Sequence, residues 1–450
     1  MKFAVAITFS VSCLLAACGG GGSITISIGN APPAPIINIA FASQKGTVGA
    51  VSQLSWTTTN ATSCVGQSGL TGSQPTSGSL NVSPTADGQL TYTISCTGAG
   101  GSSSASAVLQ VPLNVLASSY ENAARAGEFF GSQTLPNEVR NSNSVAFADF
   151  FQDGTYSMVT HTLDYAAGNI ATSTNFGRIH FWKKVNNSWI DSTSALLSNN
   201  AGCLHPRKAI VADFNHSGRP SVLFACHGYD ASPFPGESMH LLLSQSNGTY
   251  TNVTLPLTGF FHSASAADIN GDGYPDIVVT DNMTEGRPYF LMNNRDGTFT
   301  KDTSRLPPSV NQQPIFTAEL IDFYNTGKYD VFLGGHEQSG AWHATIFPND
   351  GAGKFLTSSA LTLPGLAGFG FPTDIVFKKG NVYLARTIDS SSNFFGGAAI
   401  QKINLSSKAS SSLYQHSVAY SSGTRWINWI RSNNGNIVSL DSLYGISVPQ

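Results

Sequence analysis

Four segments of this chain are variants of one pattern, and that repetition limits the possible folds more than any other feature. They read "DFFQDGTYSMVT" from Asp149, "DFNHSGRPSVLF" from Asp213, "DINGDGYPDIVV" from Asp268 and "DFYNTGKYDVFL" from Asp322, at intervals of 64, 55 and 54 residues. Each places an oxygen-bearing, glycine-containing loop directly before an apolar run rich in β-branched or aromatic residues, which reads as a buried strand. The loop therefore joins two strands. A faded copy, "DIVFKKGNVYLA", starts at Asp374, and "WINWIRSNNGNIVSLDS" near Trp426 keeps a strand-turn-strand outline. A second hairpin follows in each unit, as in "HLLLSQSNGTYTNV" and "YFLMNNRDGTFTKD", where Asn-Gly and Asp-Gly mark the turn.

Self-similarity at a fixed period means one supersecondary unit stacked on the next. Four strands in roughly 55 residues is the arithmetic of a β-propeller blade. The inner strands before Asp149, Asp213, Asp268, Asp322 and Asp374, with one at Trp426, give six blades. Seven remain open if residues 118–144 hold more than one strand. The last unit is short by an outer strand, which the stretch from Tyr120 to Leu135 is expected to supply, closing the ring and leaving no edge exposed. These units resemble the FG-GAP and VCBS repeats of integrin-α-like propellers and of many bacterial exported proteins. The resemblance covers residues 118–450, and its specific part is the D-x-N-x-D-G-x-x-D core at Asp268; the literal Phe-Gly-Gly-Ala-Pro signature is absent.

The Asp268 loop also begins like a helix-loop-helix calcium site, but position twelve is Val279 instead of a bidentate Glu, and a strand follows. Side-chain oxygens of Asp268, Asn270, Asp272 and Asp276, with the carbonyl of Tyr274, present five hard ligands that suit Ca2+. The other copies have lost ligands: Phe151 and Ser157 in the first, Ser221 in the second, Tyr324 and Thr326 in the fourth. One structural calcium is expected.

If the loops mark one face, residues entering a first strand or leaving a second one mark the opposite face. His161, His205, Arg207, His227, His262, Asp281, Arg287 and His336 fall there by register. Such a rim could bind an anion, coordinate a transition metal or supply acid–base groups. Histidine charging would strengthen anion binding below about pH 6.5. The bland reading is that these histidines only cap strand ends. No H-E-x-x-H, G-x-S-x-G or P-loop pattern accompanies them.

The N-terminus "MKFAVAITFSVSCLLAAC" joins one Lys to a short apolar run, too short to span a bilayer as a resident helix. Leu15-Ala16-Ala17-Cys18 resembles the bacterial lipobox, which implies cleavage, lipidation of Cys18 and, with Gly19 next, an outer-membrane destination. Residues 1–18 are thus a leader, and 19–35, Gly-rich then Pro-rich, a flexible tether. Residues 36–116 alternate in short strands that suit a small β-sandwich. They resemble the immunoglobulin-like modules of bacterial surface lipoproteins, although Trp56 precedes the first Cys instead of lying between the pair. Of six cysteines, Cys64, Cys96, Cys203 and Cys226 remain after the leader and lipid site, and the local pairings Cys64–Cys96 and Cys203–Cys226 are expected.

The net charge of −3 gives no polyelectrolyte signal, so nucleic acid is excluded as a partner. The expected protein is all-β: an immunoglobulin-like sandwich, then a propeller, membrane-tethered and presenting a face to a glycan or protein ligand. The competing reading is a carbohydrate-active lyase or hydrolase working through the His/Arg rim.

Overall fold

The computed structural model describes residues 31–130, 142–164, 175–230, 232–282, 287–337, 340, 342–388, 396–417, 430–439 and 446–450. The leader, Cys18 and most of the tether lie outside them. By contacts the chain divides into two compact units, one holding 55–79, 92–106 and the residues up to Ile39, the other 40–54, 80–91 and 107–450.

Seven strands come first: β1 (Ile36–Phe41), β2 (Ser52–Thr59), β3 (Ser63–Gly66), β4 (Gly72–Gln74), β5 (Ser77–Val82), β6 (Gly88–Gly98) and β7 (Gly101–Val111). They form a three-stranded sheet, β1-β2-β5, and a four-stranded one, β4-β3-β6-β7. Period-two alternation decides which side chains turn inward: Trp56, Cys64, Ile94 and Cys96 are buried while their strand neighbours are largely exposed. Cys64 and Cys96 are directly opposed in the β3–β6 ladder and form a disulfide.

After helix α1 (Ser119–Phe130) come the repeats. β8 (Ser142–Ala148), β9 (Ser157–Thr162), β10 (Ile179–Val185) and β11 (Ser188–Asp191) make an antiparallel meander. So do β12 (Pro206–Ala212), β13 (Ser221–Cys226), β14 (Glu237–Ser244) and β15 (Tyr250–Gly259), and then β16 (Phe261–Ala267), β17 (Asp276–Asp281), β18 (Arg287–Asn293) and β19 (Phe299–Asp302). The fourth is β20 (Ile315–Ile321), β21 (Asp330–Gly335), β22 (Thr345–Phe347) and β23 (Leu361–Thr362), and the fifth β24 (Phe371–Lys378), β25 (Asn381–Thr387), β26 (Ala398–Asn404) and β27 (Ser410–His416). A three-stranded sheet of β28 (Ile430–Asn433), β29 (Asn436–Ser439) and β30 (Ser447–Pro449) ends the chain.

First strands neighbour one another in series, β8 to β12, β16, β20, β24 and β28. Every residue of β13, β17 and β21 is buried. That is why "SVLFAC" and "DVFLGG" are almost continuously apolar and "DIVVTD" is so at its centre: each second strand is covered on both faces, by the sheet before and the sheet after. Leu223, Leu241, Ile277 and Val279 join the second and third sheets in one core, and Val278, Phe290, Val331 and Leu333 the third and fourth.

Over Tyr120–Phe130, helix α1 corrects the expectation of an outer strand from Tyr120 to Leu135; residues 131–135 lie outside the described residues. Its start is a capping box, Ser118-x-x-Glu121: the Glu121 N–H donates to Ser118 Oγ (3.1 Å) and the Ser118 N–H to Glu121 Oε2 (3.2 Å). Ala123, Ala124 and Ala126 then favour helix over strand. The helix packs against β8, β12, β16, β20 and β28. Asn122 Nδ2 donates to Val211 O, Ser119 Oγ accepts the Ala266 N–H, Tyr120 OH donates to Phe377 O, and Gly127 O accepts from Asn433 Nδ2. These partners sit at or just after the loop ends of their sheets' strands, so α1 fills the axis there. Ala126 and Phe129 cover Phe147 and Met158 of the first sheet, while a Cβ on Gly127 would lie 2.9 Å from Ser432 O in β28. Among the described residues, a helix therefore bridges the last and first sheets.

Candidate functional site

The four aspartate loops share one backbone solution. The leading Asp accepts from the N–H groups four and five residues on: Asp149 from Asp153 and Gly154, Asp213 from Ser217 and Gly218, Asp268 from Asp272 and Gly273, Asp322 from Thr326 and Gly327, all between 2.6 and 3.1 Å. The second donor in each pair is a glycine at φ between 74° and 87°, where a Cβ would be strained. Asp and Gly thus persist in the worn copies because they close the turn, with or without metal. The Asp268 loop adds more. Asn270 Oδ1 and Asp272 Oδ1 accept the Asp272 and Tyr274 N–H groups, and Asp276 Oδ1 takes the Asn293 N–H at 2.9 Å. Asp276 Oδ2 is buried with no hydrogen-bond partner. Burial, reinforced by Asp272 and Asp268, pushes that carboxyl up to about 7. An orphaned carboxylate oxygen beside two further carboxylates fits a hard divalent cation. The three carboxylates are not gathered as tightly as a finished site would hold them. Among the described residues, the sets whose ligand atoms all lie within 4.8 Å of one another are Cys203–Cys226–Glu237 and His205–His227–Asp230.

At the opposite end, five first strands break register near their start, β8 between Ser142 and Ser144 and four more in the same way. The ladder slips between Pro206 and Lys208, Phe261 and Ser263, Ile315 and Thr317, and Pro372 and Asp374. A β-bulge re-aims the extra side chain. In β12, β16, β20 and β24 these are Arg207, His262, Phe316 and Thr373, and all four line a cavity of about 60 Å³ together with Lys208, Asp374 and Arg431. That volume holds a few waters or the charged end of a ligand.

An aromatic belt runs along this rim. The His205 and His227 rings are 3.9 Å apart between centroids, His227 and His262 5.2 Å, His262 and Phe316 4.2 Å, Phe316 and His336 4.8 Å, and His336 and Phe371 5.0 Å. The structure thus brings His205, Arg207, His227, His262 and His336 together across three successive sheets. It takes His161 and Asp281 elsewhere. His161 Nδ1 donates to Thr162 O (2.8 Å), and its Nε2 accepts the Cys203 N–H (2.9 Å), so the ring latches one loop to the next. Asp281 Oδ1 accepts the Phe260 N–H at 3.0 Å. Glu237 does the same for Leu204, His205 and Gly228, and Glu337 for Ala344. These acids tie down backbone at the mouth, and the Cys203–Cys226 disulfide staples the hairpin that carries His205 and His227.

Burial sets the charge state. It pushes the His161 imidazole down to about 3, and holds His205, His227 and His262 well below the ordinary range, with Arg207 adding repulsion for those three. All four are shifted toward the neutral ring, which works against a strengthening of anion binding through their charging below about pH 6.5. Permanent cations supply the positive charge. Arg207 and Arg431 line the cavity, the latter paired with Asp374 at 2.9 Å, and Lys208 pairs with buried Glu319. Sequence reasoning missed Lys208, Glu319, Phe316, Phe371 and Arg431. Each lies in a first strand, and Lys208, Phe316, Glu319 and Phe371 lie within two residues of a slip, which depends on the partner strand and left no mark in the sequence.

Residues 231–279 and 268–333 match the model of the FG-GAP-like repeat. The chain carries FG-GAP-like repeats. With its serial antiparallel sheets it is an all-β repeat propeller. No curated protein matches it by sequence. Among solved structures it is similar to a quinonprotein alcohol dehydrogenase-like protein from Bacteroides thetaiotaomicron VPI-5482, at 11% identity over 91% of this chain and 96% of that one, with a TM-score of 0.32. It is also similar to the GH74 enzyme of Niastella koreensis, at 10% identity over 86% of this chain and 62% of that one, with a TM-score of 0.33. Likeness this distant carries no inference about activity.

Proposed function

We propose that this chain is a lipid-anchored cell-envelope protein whose six-bladed propeller offers its channel mouth to a surface ligand, a glycan or a protein. One observation carries the reading: α1 fills the axis at the loop end, while at the other end bulged residues of successive sheets turn into a single cavity. The lining sets Arg207, Lys208 and Arg431 against Asp374, so a ligand bearing a carboxylate or similar anionic group fits best. Hydrolysis by paired carboxylates about 5–9.5 Å apart requires two acids facing one space. Asp374 is the one acid among the cavity's described lining residues, and Arg431 engages it. That supports binding over a carbohydrate-active hydrolase that works through a carboxylate pair.

In this reading Cys18 carries the lipid at the outer membrane, residues 19–35 are the tether and 36–116 an immunoglobulin-like spacer. One structural calcium sits on Asp268, Asn270, Asp272, Asp276 and the Tyr274 carbonyl. The test is a glycan and protein binding screen of the full chain, repeated with Arg207→Ala and His262→Ala together. A selective ligand that is lost from the folded double variant is expected; the same ligand retained by it refutes the assignment.

A further inference from the structure

We infer that His205, His227 and Asp230 form a binding site for one divalent transition-metal ion of the zinc type. The site shares its face with the proposed ligand surface, and rests on that reading for location alone. A ring nitrogen of each histidine and a carboxylate oxygen of Asp230 all lie within 4.8 Å of one another. In a tetrahedral zinc site with bonds near 2.0–2.2 Å, ligand atoms stand about 3.4 Å apart, so closing around the ion needs shifts of about 1 Å.

The hairpin presents the ligands in fixed positions. Pro206 and Cys226 are paired in the β12–β13 ladder, which sets His205 opposite His227, and the His227 N–H donates to His205 O at 3.1 Å. Glu237 grips the N–H groups of His205 and Gly228, and the disulfide crosses the same hairpin end. His227 is fully buried. Its Nδ1 donates to Gly228 O at 2.8 Å, so the proton is on Nδ1 and the lone pair on Nε2. Nε2 is buried and has no hydrogen-bond partner. An imidazole whose Nδ1–H is anchored to a backbone carbonyl while its buried Nε2 has no hydrogen-bond partner is the arrangement found in metal-ligating histidines. Both rings are kept neutral by burial, which leaves them ready to coordinate.

The neighbouring charge selects the metal. Arg207 acts on both imidazoles and on Asp230 and opposes any cation, so nitrogen coordination must supply most of the binding beyond what the Asp230 charge gives. Zinc and its neighbours in the Irving–Williams series bind imidazole that way; calcium and magnesium do not. Asp230 is exposed, which opens the remaining coordination position to water or an incoming ligand group.

The experiment titrates Zn2+ alone into the full chain, free of any polyhistidine tag and with calcium saturating. The parent should take up one equivalent. His205→Gln and His227→Gln should each lose more than the roughly 10- to 100-fold that supporting partners of a metal site carry, and Asp230→Asn about 10-fold. In case the glutamine variants do not fold, Co2+ on the parent is the second readout, expected to show the strong visible absorption of four-coordinate cobalt. A parent that binds no Zn2+, parental affinity in a folded His205→Gln or His227→Gln chain, or the weak spectrum of six-coordinate Co2+ overturns the assignment. Zinc being the sole ligand, none of these outcomes bears on the glycan or protein screen.

Discussion

His161 illustrates how a residue type suggestive of chemistry can be spent on architecture. Its two ring nitrogens are both engaged with backbone, and its imidazole titrates near 3 when folded against about 6.5 when unfolded. The folded value is depressed, so the stability it gives is present above pH 6.5 and is lost as pH falls from there toward 3. Between pH 6.5 and 5 this amounts to about 2 kcal/mol, since only the unfolded chain takes up the proton. Urea unfolding of His161→Gln should show lower stability at pH 7.5 and a shallower decline toward pH 5 than the parent. Parallel declines would show that this ring is not the proton acceptor. The aspartates divide in a similar way. Asp268 caps three backbone N–H groups, those of Gly271, Asp272 and Gly273, so Asp268→Ala should lower the melting temperature in calcium and in chelator alike. Asp272→Ala should matter chiefly when calcium is present at the roughly 0.1–1 mM expected of extracellular sites. Calorimetry in both buffers separates the two, and equal losses for Asp272→Ala in each would remove the calcium site.

At the level of elements, the strands were legible and the helix was not. Asp149, Asp213, Asp268 and Asp322 each announced a loop between two strands, and the Asn-Gly and Asp-Gly turns announced the outer hairpins, because period and turn chemistry act locally. Cysteine pairing was legible for the same reason. Helix α1 carries local signals, the Ser118-x-x-Glu121 box and its alanines, that compete with the last unit's apparent need for an outer strand. Ring closure is a global requirement, and a wedge at the axis meets it as well as an edge strand would. The bulges at Arg207, His262, Phe316 and Thr373 left no local mark at all, since a one-residue slip depends on the partner strand. If α1 closes the seam, Ser118→Ala with Glu121→Ala should cost about 1–2 kcal/mol in denaturant unfolding, more than a surface pair would. A change within about 0.5 kcal/mol would show that the capping box does not hold the helix.

For the whole molecule, the consequence is polarity along the axis. One end is closed by α1 among the turn-forming aspartates; the other carries cations, neutral imidazoles and a cavity on a rigid rim. The proposed function puts recognition at the second end. Hydrogen–deuterium exchange of the full chain with and without an acidic oligosaccharide tests this most directly. The account predicts slowed exchange at residues 205–209, 261–264, 315–318 and 371–374, abolished by Arg207→Ala, with the four aspartate loops unchanged. Protection confined to the loops around Asp149, Asp213, Asp268 and Asp322, or protection at the rim that survives Arg207→Ala undiminished, would contradict it.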